Sequence, residues 1–311
     1  MASEIPAILR PLSFGELLDR AVTLFVRNFW LLCGLGAIVY LPLTLVQSFM
    51  GDFWLQYLQL MNRILTSGGK APNVPANTAM IARMNAISLL EIIVWVVAAP
   101  LAAAALAHAA SRLVTGESTS FRESLQLALQ RWGNVLLFGL LWAVLLGVVF
   151  VAGYLALVLF GLFAFLVVRS IALGIIFGGI FLLAWLVILV IAVIAGGVGF
   201  ATLIVEPVNA LRAFAAGLER AINRAVVWRS LVVGLLYFAV AFGFSAVAYA
   251  AGFGLLFLLH SGIPLMILIG VTSVVQFGFS LLIIVLYYYD LRIRREGTDL
   301  ATLASHVAAP T

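Results

Sequence analysis

The sequence predicts an all-α membrane protein with six transmembrane helices. Three observations lead to this fold class: hydrophobic residues make up 65% of the 311-residue chain, charged residues make up 9%, and the mean hydropathy is +1.22. A soluble domain is typically about 45–50% apolar and about 25% charged. This composition excludes a soluble enzyme or a DNA-binding module, because most residues of a small soluble domain must face water.

Six segments are long and apolar enough to cross a hydrocarbon core about 30 Å thick, which takes about 20 helical residues. Pro100 lies inside the second segment and predicts a kink there. The third and fourth segments, at about 35 residues each, exceed the core, so we expect them to tilt, kink or project on the outer side. The predicted spans are residues 29–50, 86–111, 134–168, 171–205, 231–259 and 263–289.

The distribution of basic residues predicts the orientation. Of the 17 Lys and Arg residues, 13 lie in the terminal segments and in the connections after the second and fourth spans, and four lie on the other side. Loops rich in Lys and Arg stay in the cytoplasm. Both termini are therefore expected to be cytoplasmic. No cluster of Lys and Arg interleaved with aromatic residues indicates nucleic-acid binding.

Each odd-numbered span follows a segment with apolar residues at helical spacing. Ser13 with Glu16, and Ser120 with Glu123, have the spacing of capping boxes, and Pro207 precedes the third segment. The segments also align with one another at offsets of 107 and 200 residues. The aligned positions are Phe14, Leu18, Ala21 and Val22, then Phe121, Leu125, Ala128 and Leu129, then Phe214, Leu218, Ala221 and Ile222.

This pattern predicts a single membrane domain over residues 1–311 made of three pseudo-repeats. Each repeat is expected to be a cytoplasmic amphipathic interfacial helix followed by a membrane hairpin. The alternative is that any amphipathic helix leading into a span would look similar. The predicted repeats cover about residues 11–111, 119–205 and 207–290, and residues 291–311 form a cytoplasmic tail.

Catalytic and metal-binding patterns are missing from the sequence. None of the three histidines has a second ligand at the third or fourth following position, and no nucleophile elbow, zinc-protease motif or phosphate-binding loop occurs. The single cysteine, Cys33, excludes an intramolecular disulfide. We therefore predict no enzymatic activity, no catalytic residue, no cofactor and no metal.

Two ionisable residues are candidate intramembrane polar groups. Glu91 lies about one turn into the second predicted span, near its outer end. It is expected to reach the headgroups, to pair with Arg83 or Arg169, or to line a polar path. Arg169 interrupts the long apolar stretch between the third and fourth spans and most simply marks an outer turn.

The densest charge cluster follows the sixth span, where residues 287–300 read YYYDLRIRREGTDL. Three consecutive tyrosines predict an interfacial belt. The charges after them are interpreted either as partners for the interfacial helices or as a stop-transfer anchor with a solvated tail.

This segment resembles the C-terminal signature of the glycerophosphoryl diester phosphodiesterase membrane domain-like family. The opening RPLSFGELLDRAVTLFVRNFWLL and the stretch VEPVNALRAFAAGLERAINRAVVWRSL are also similar to that family. The resemblance covers both ends and one interior stretch. It implies a stand-alone, six-helix prokaryotic inner-membrane protein, because the family's catalytic residues belong to a separate soluble domain that this sequence lacks.

The resemblance also implies a candidate structural or docking site near the C-terminal end. Its residues are Asp290, Arg292, Arg294, Glu296 and Asp299. Glu206 is a further candidate, although the following Pro207 departs from the family's pattern and leaves its role open.

Two functions are compatible with these observations. The first is a non-enzymatic scaffold or accessory subunit of an inner-membrane assembly, which binds membrane lipids and a membrane protein partner or further copies of itself. The second is a transporter or lipid-handling permease for an apolar or amphiphilic substrate. A closed bundle with exposed apolar extensions favours the first, and a lateral opening faced by Glu91 favours the second.

Overall fold

The computed structural model describes the backbone of residues 11–48, 66, 78–163 and 171–308, and the side chains of 11–48, 66, 85–163 and 175–294. All secondary structure in these ranges is helical. The helices are α1 (Phe14–Arg27), α2 (Phe29–Ser48), α3 (Thr78–Ile93), a π-turn (Val94–Ala98), α4 (Ala99–Val114), α5 (Phe121–Gln130), α6 (Trp132–Phe163), α7 (Ile171–Val205), α8 (Ala210–Ile222), α9 (Val227–Leu259) and α10 (Ile263–Ala308).

Six helical segments in the described ranges are long and apolar enough to cross a membrane, which confirms the predicted number of spans. They are Phe29–Ser48, Asn85–Val114, Trp132–Phe163, Ile175–Val205, Val227–Leu259 and Ile263–Arg294. The last helix does not end with the sixth predicted span: α10 continues to Ala308 and takes in most of the predicted tail.

Pro100 interrupts the second span, and the π-turn Val94–Ala98 lies immediately before it. A proline within a helix lacks the N–H that would bond to the preceding turn, and its ring clashes with the carbonyl four residues back. The structure therefore has a local widening of the helix, the π-turn, beside the residue at which the sequence predicts a kink.

The short helices begin at side-chain caps. At α1 the capping box is complete, because Glu16 N donates to Ser13 Oγ at 3.2 Å and Ser13 N donates to Glu16 Oε2 at 2.8 Å. At α5 only the Ser120 half of the predicted box forms, and the Glu123 carboxylate instead accepts from Thr119 Oγ1 at 3.3 Å. Asn209, two residues after Pro207, caps α8 by accepting from Arg212 N at 2.9 Å.

The even-numbered spans form the middle of the bundle. Helices α4, α7 and α10 contact one another, and each of the other spans packs beside two of them. Helix α2 contacts α10 and α4, α6 contacts α4 and α7, and α9 contacts α7 and α10. The short helices follow the same order around the bundle, since α5 packs on α4, α8 on α7, and α1 on α10.

The two ends of the bundle differ in packing. We call the side formed by α1, α5, α8 and residues 287–290 the terminal face, and the opposite side the far end. Buried residues are concentrated toward the terminal face, where the side chains from Leu281 to Tyr288 of α10 are all buried. Toward the far end most of α6 is exposed, and its buried residues are only Val135, Phe138 and Gly153.

Small residues let α8 cross closely over α7 at the terminal face. A Cβ added to Gly217 would lie 2.5 Å from the carbonyl oxygen of Ala195 and 2.6 Å from Cα of Gly199. These are backbone atoms, which cannot move aside as the tip of a side chain can. The crossing therefore requires glycine at position 217.

Candidate functional site

Three consecutive tyrosines of α10 each bond to a different part of the bundle. The Tyr287 hydroxyl lies 2.8 Å from Ser230 Oγ of α9, and the Tyr289 hydroxyl lies 2.7 Å from Ser111 Oγ of α4. Between them, the Tyr288 hydroxyl donates to Glu206 Oε1, just after α7, at 2.7 Å. Successive helical side chains are about 100° apart, so three in a row point to three neighbouring elements.

The tyrosines are not the interfacial belt that the sequence suggested. Tyr287 and Tyr288 are fully buried and Tyr289 is half-buried. A belt requires rings at the membrane surface, whereas these rings lie inside the bundle because α10 is surrounded by α2, α4, α7 and α9 at this level.

Asp290 is the next residue and is completely buried, with 0% of its surface exposed. Its carboxylate accepts from Arg229 Nε of α9 at 2.7 Å and from Arg294 Nε at 3.0 Å. It also accepts from the backbone N–H of Leu12 at 2.8 Å. A carboxylate removed from water is stable only with such charged and hydrogen-bonding partners.

The same two arginines hold the carbonyl group of Leu12. Arg294 Nη2 donates to the Leu12 oxygen at 3.1 Å, and Arg229 Nη2 donates to it as well. The Arg229 guanidinium also lies 4.6 Å from the centre of the Phe14 ring, within range of a cation–π interaction. The segment before α1 is therefore fixed to the end of the sixth span through both polar groups of Leu12.

Glu206 forms a second ion-pair cluster. Its carboxylate accepts from Tyr288 and pairs with Arg220 Nη1 of α8 at 2.7 Å. Arg220 Nη1 also donates to Thr202 Oγ1 at 2.7 Å. Burial by itself raises the pKa of Glu206, but the hydrogen bonds from Arg220 and Tyr288 and the charges of Arg220 and Arg292 outweigh it, so this pKa lies below its ordinary value.

An arginine also donates hydrogen bonds to the carbonyl groups at the end of α7. Arg131, just before α6, donates to the Leu203 carbonyl at 3.0 Å and lies 3.5 Å from the carbonyl of Glu206. The last carbonyls of a helix lack partners within the helix and carry partial negative charge, so a cation at this position is favourable.

We call Tyr287, Tyr288, Tyr289, Asp290 and their direct partners the α10 lock. Of the residues expected at this site, the structure brings Asp290 and Arg294 together and places Glu206 on Tyr288. Arg292 is exposed and acts on Glu206 through its charge. The side chains of Glu296 and Asp299 lie outside the described residues, although both positions belong to α10.

Of the two candidate intramembrane residues, the structure describes Glu91, which lies away from the lock. Glu91 Oε1 accepts from Gln47 Nε2 of α2 at 3.0 Å, and both side chains are half-buried. Arg169 lies outside the described residues.

Sequence reasoning missed Arg229, Ser230, Ser111 and the backbone of Leu12 as partners in the lock. One signal was available, because the interior stretch that resembles the family contains Glu206, Arg220 and Arg229 together. The role of Leu12 could not be predicted from its residue type, because its contacts are made by backbone atoms.

Comparison with known proteins finds no matching family, no matching curated protein and no matching solved structure. Among the described residues, no group of three or more His, Cys, Asp or Glu side chains could hold a metal ion. His108, on α4, lies 3.4 Å from Ser124 Oγ of α5, a contact between two packed helices. The arrangement at the terminal face connects α4, α7, α8, α9 and α10 with the segment before α1.

Proposed function

We propose that this protein is a non-enzymatic scaffold or accessory subunit of a membrane protein assembly in a prokaryotic inner membrane. The α10 lock is the observation that carries the proposal. A permease must open each side in turn, and opening the terminal face would separate Asp290 from Arg229. Removing one partner of a buried ion pair costs about 3–5 kcal/mol. A terminal face that is held closed by a buried ion pair suits a protein that holds others in place.

The exposed tryptophans support a placement of the terminal face at a headgroup layer, and the excess of Lys and Arg on that side supports the cytoplasmic one. Trp30, Trp132 and Trp228 lie near the terminal-face ends of α2, α6 and α9 and are 85%, 60% and 75% exposed. Indole favours the boundary between lipid and water. In this placement α1, α5 and α8 are interfacial amphipathic helices, and both termini are cytoplasmic.

The cyclic packing order supports three structural repeats, each a short helix followed by a membrane hairpin. Helix α5 packs on the span before it, α8 does the same, and α1 takes the equivalent place on α10. Each of the three central spans, α4, α7 and α10, thus carries one short helix. This is expected if α1 belongs to the same type of unit as α5 and α8. On this proposal the Leu12–Asp290 contact joins the first unit to the third.

The far-end part of α6 and α7 is the surface that we propose for contact with a membrane protein partner outside the hydrocarbon core. Helix α6 has 32 residues and α7 has 35. These lengths correspond to about 48 Å and 52 Å, well beyond a hydrocarbon core of about 30 Å. Their far-end side chains are apolar and exposed, and apolar surface outside the core is stabilised by a protein neighbour. Examples are Leu155, Leu159, Leu162, Ile175, Ile176 and Ile180.

A lipid-handling permease is the second candidate, and Glu91 favours it. An ionisable side chain within a span commonly marks a substrate or ion path. Glu91 is half-buried and bonded to Gln47 rather than fully paired with a cation among the described side chains. The same carboxylate is compatible with a static binding site, so it does not outweigh the closed terminal face.

Extraction of the tagged, full-length protein into lipid nanodiscs, followed by mass spectrometry of bound proteins and lipids, tests the proposal. We expect a stoichiometric membrane protein partner that is lost in Leu159→Glu, a change at a side chain that is 65% exposed. Val26→Glu on the terminal face is the matched control and should keep the partner. Absence of a protein partner together with one strongly enriched amphiphile would favour the permease.

A further inference from the structure

A polar pair lies between α2 and α3 at the far end, away from the α10 lock. Gln47 Nε2 donates to Glu91 Oε1 at 3.0 Å, and both side chains are half-buried. Among the described side chains the Gln47 amide bonds to Glu91, and no Lys or Arg pairs with it. A carboxylate at the edge of an apolar core needs more compensation than one neutral hydrogen bond provides.

The hydrogen bond determines which atoms remain to bind a ligand. Because the amide nitrogen of Gln47 is directed at Glu91, the Gln47 carbonyl oxygen is left as an acceptor. Oε2 of Glu91 is a second acceptor and carries part of the negative charge. Two acceptors and one net negative charge match a primary ammonium group, which has three N–H donors and one positive charge.

An aromatic pair lies about one helical turn further along the same span. Trp95 follows Glu91 by four residues, toward the terminal face. Its indole is 47% exposed and packs edge-on against the Tyr40 ring of α2, with ring centroids 5.8 Å apart. Indole binds cations through its face more strongly than other aromatic side chains. Carboxylate, amide and indole together have the chemistry of an ammonium site.

The π-turn gives this site an unusual backbone. Trp95 lies within Val94–Ala98, where the helix widens before Pro100. Single π-helical turns inside α-helices occur frequently at functional sites, because the extra residue redirects side chains. Pro100 follows the turn by two residues, and Trp95 is one of its five residues.

The level of Gln47 and Glu91 in the membrane indicates which kind of molecule carries the ammonium group. Glu91 precedes Ser111, a residue of the α10 lock, by 20 positions, and Gln47 follows Trp30 by 17 positions. These separations correspond to about 25–30 Å of helix, the thickness of a hydrocarbon core. The pair therefore lies at the headgroup level of the leaflet opposite the lock.

We propose that Gln47, Glu91 and Trp95 form a binding site for the primary ammonium headgroup of an outer-leaflet lipid, of the phosphatidylethanolamine class. The exposed apolar side chains of α3 that flank Glu91, Leu90 and Ile93, contact the acyl chains of such a lipid. The site goes beyond the scaffold proposal and holds for either candidate function, because binding does not require transport.

Native mass spectrometry of the full-length protein tests this site. The protein is exchanged into nanodiscs that contain equal amounts of phosphatidylethanolamine and phosphatidylcholine with identical acyl chains. Since a charge-assisted hydrogen bond distinguishes the two headgroups, we expect phosphatidylethanolamine to be retained at least about fivefold over phosphatidylcholine. Methylation of the ammonium group removes N–H donors one at a time and should reduce retention step by step.

Glu91→Gln should bring the retention ratio close to one, and Gln47→Leu should reduce it. The matched control is Glu117→Gln, which removes an exposed carboxylate paired with Arg112 on the terminal face and should leave the ratio unchanged. Thermal unfolding of each variant in detergent verifies that the fold is intact. Equal retention of both lipids by the unsubstituted protein, or the same preference in Glu91→Gln, would overturn the proposal, and neither result bears on the protein partner.

Discussion

Asp290, near the end of the sixth span, accepts a 2.8 Å hydrogen bond from the backbone N–H of Leu12, 278 residues earlier in the chain. Through this contact the segment before α1 is joined to the last span. The carboxylate has no access to solvent, and its other partners are Arg229 and Arg294. The contact therefore contributes to the closed form of the terminal face.

Asp290→Ala is expected to destabilise the protein by about 3–5 kcal/mol, because it leaves Arg229 half-buried without its carboxylate. Thermal unfolding of the purified protein in detergent measures the change, and expression should also fall. Asp19→Asn, at an exposed position of α1, is the matched control and should change stability by less than about 0.5 kcal/mol. Normal abundance and melting of Asp290→Ala would contradict a structural role for the lock.

Tyr288→Phe is expected to cost about 1–3 kcal/mol, because it removes the hydroxyl that donates to the Glu206 carboxylate and leaves that group less well satisfied. Chemical or thermal unfolding measures this loss. Tyr154→Phe, at an exposed residue of α6, supplies the control and should have little effect. Equal stability of the two variants would show that the Tyr288 hydroxyl contributes nothing.

Acid should weaken the protein through Glu206. Its pKa in the folded state lies below the ordinary value of 4.5, so the folded state binds the proton less readily than the unfolded state. The stabilisation from Glu206 is therefore complete above the unfolded pKa and is lost as the pH falls through the folded one. Melting temperatures between neutral pH and the acid range measure this, and Glu206→Gln should flatten the dependence. If the melting temperature of Glu206→Gln falls with pH as steeply as that of the unsubstituted protein, the acid sensitivity arises from other groups.

Gly217→Ala should destabilise the crossing of α8 over α7, by roughly 1–3 kcal/mol, because the added methyl group meets backbone atoms that cannot move aside. Gly243→Ala is the control, since nothing lies within 4 Å of the added Cβ. Because alanine favours helix over glycine, this control should be neutral or stabilising by up to about 1 kcal/mol. Detergent unfolding curves should show a loss of stability for Gly217→Ala and no loss for Gly243→Ala.

The proposed orientation can be tested by cysteine labelling in intact cells. In a Cys33→Ser background, a cysteine at Ser120 should react with a membrane-impermeant maleimide only after the membrane is opened. A cysteine at His260, which ends α9 at the far end, should react without that treatment. The opposite pattern would place both termini outside the cytoplasm.

The six spans and the cap of α1 could be predicted from the sequence because they depend on neighbouring residues. A helix crosses lipid if its own side chains are apolar over enough length, and Ser13 caps α1 through Glu16 only three residues away. The predicted half of the α5 cap failed at Glu123, whose carboxylate pairs with Thr119 and reaches Arg112, a residue of another helix. Thr119 belongs to the same segment and Arg112 does not, so the spacing of Ser120 and Glu123 alone did not decide where this carboxylate bonds.

What the sequence by itself determined is the membrane fold class, the number of spans and, to within four residues, where each span begins. The tertiary structure decided which polar groups meet: that Tyr287, Tyr288 and Tyr289 are internal, that Asp290 holds Leu12 and Arg229, and that Gln47 faces Glu91. The physical reason is the distance along the chain over which each property is set. Apolar composition and capping are properties of a few consecutive residues, whereas the partner of a buried charge is chosen by how whole helices pack against one another.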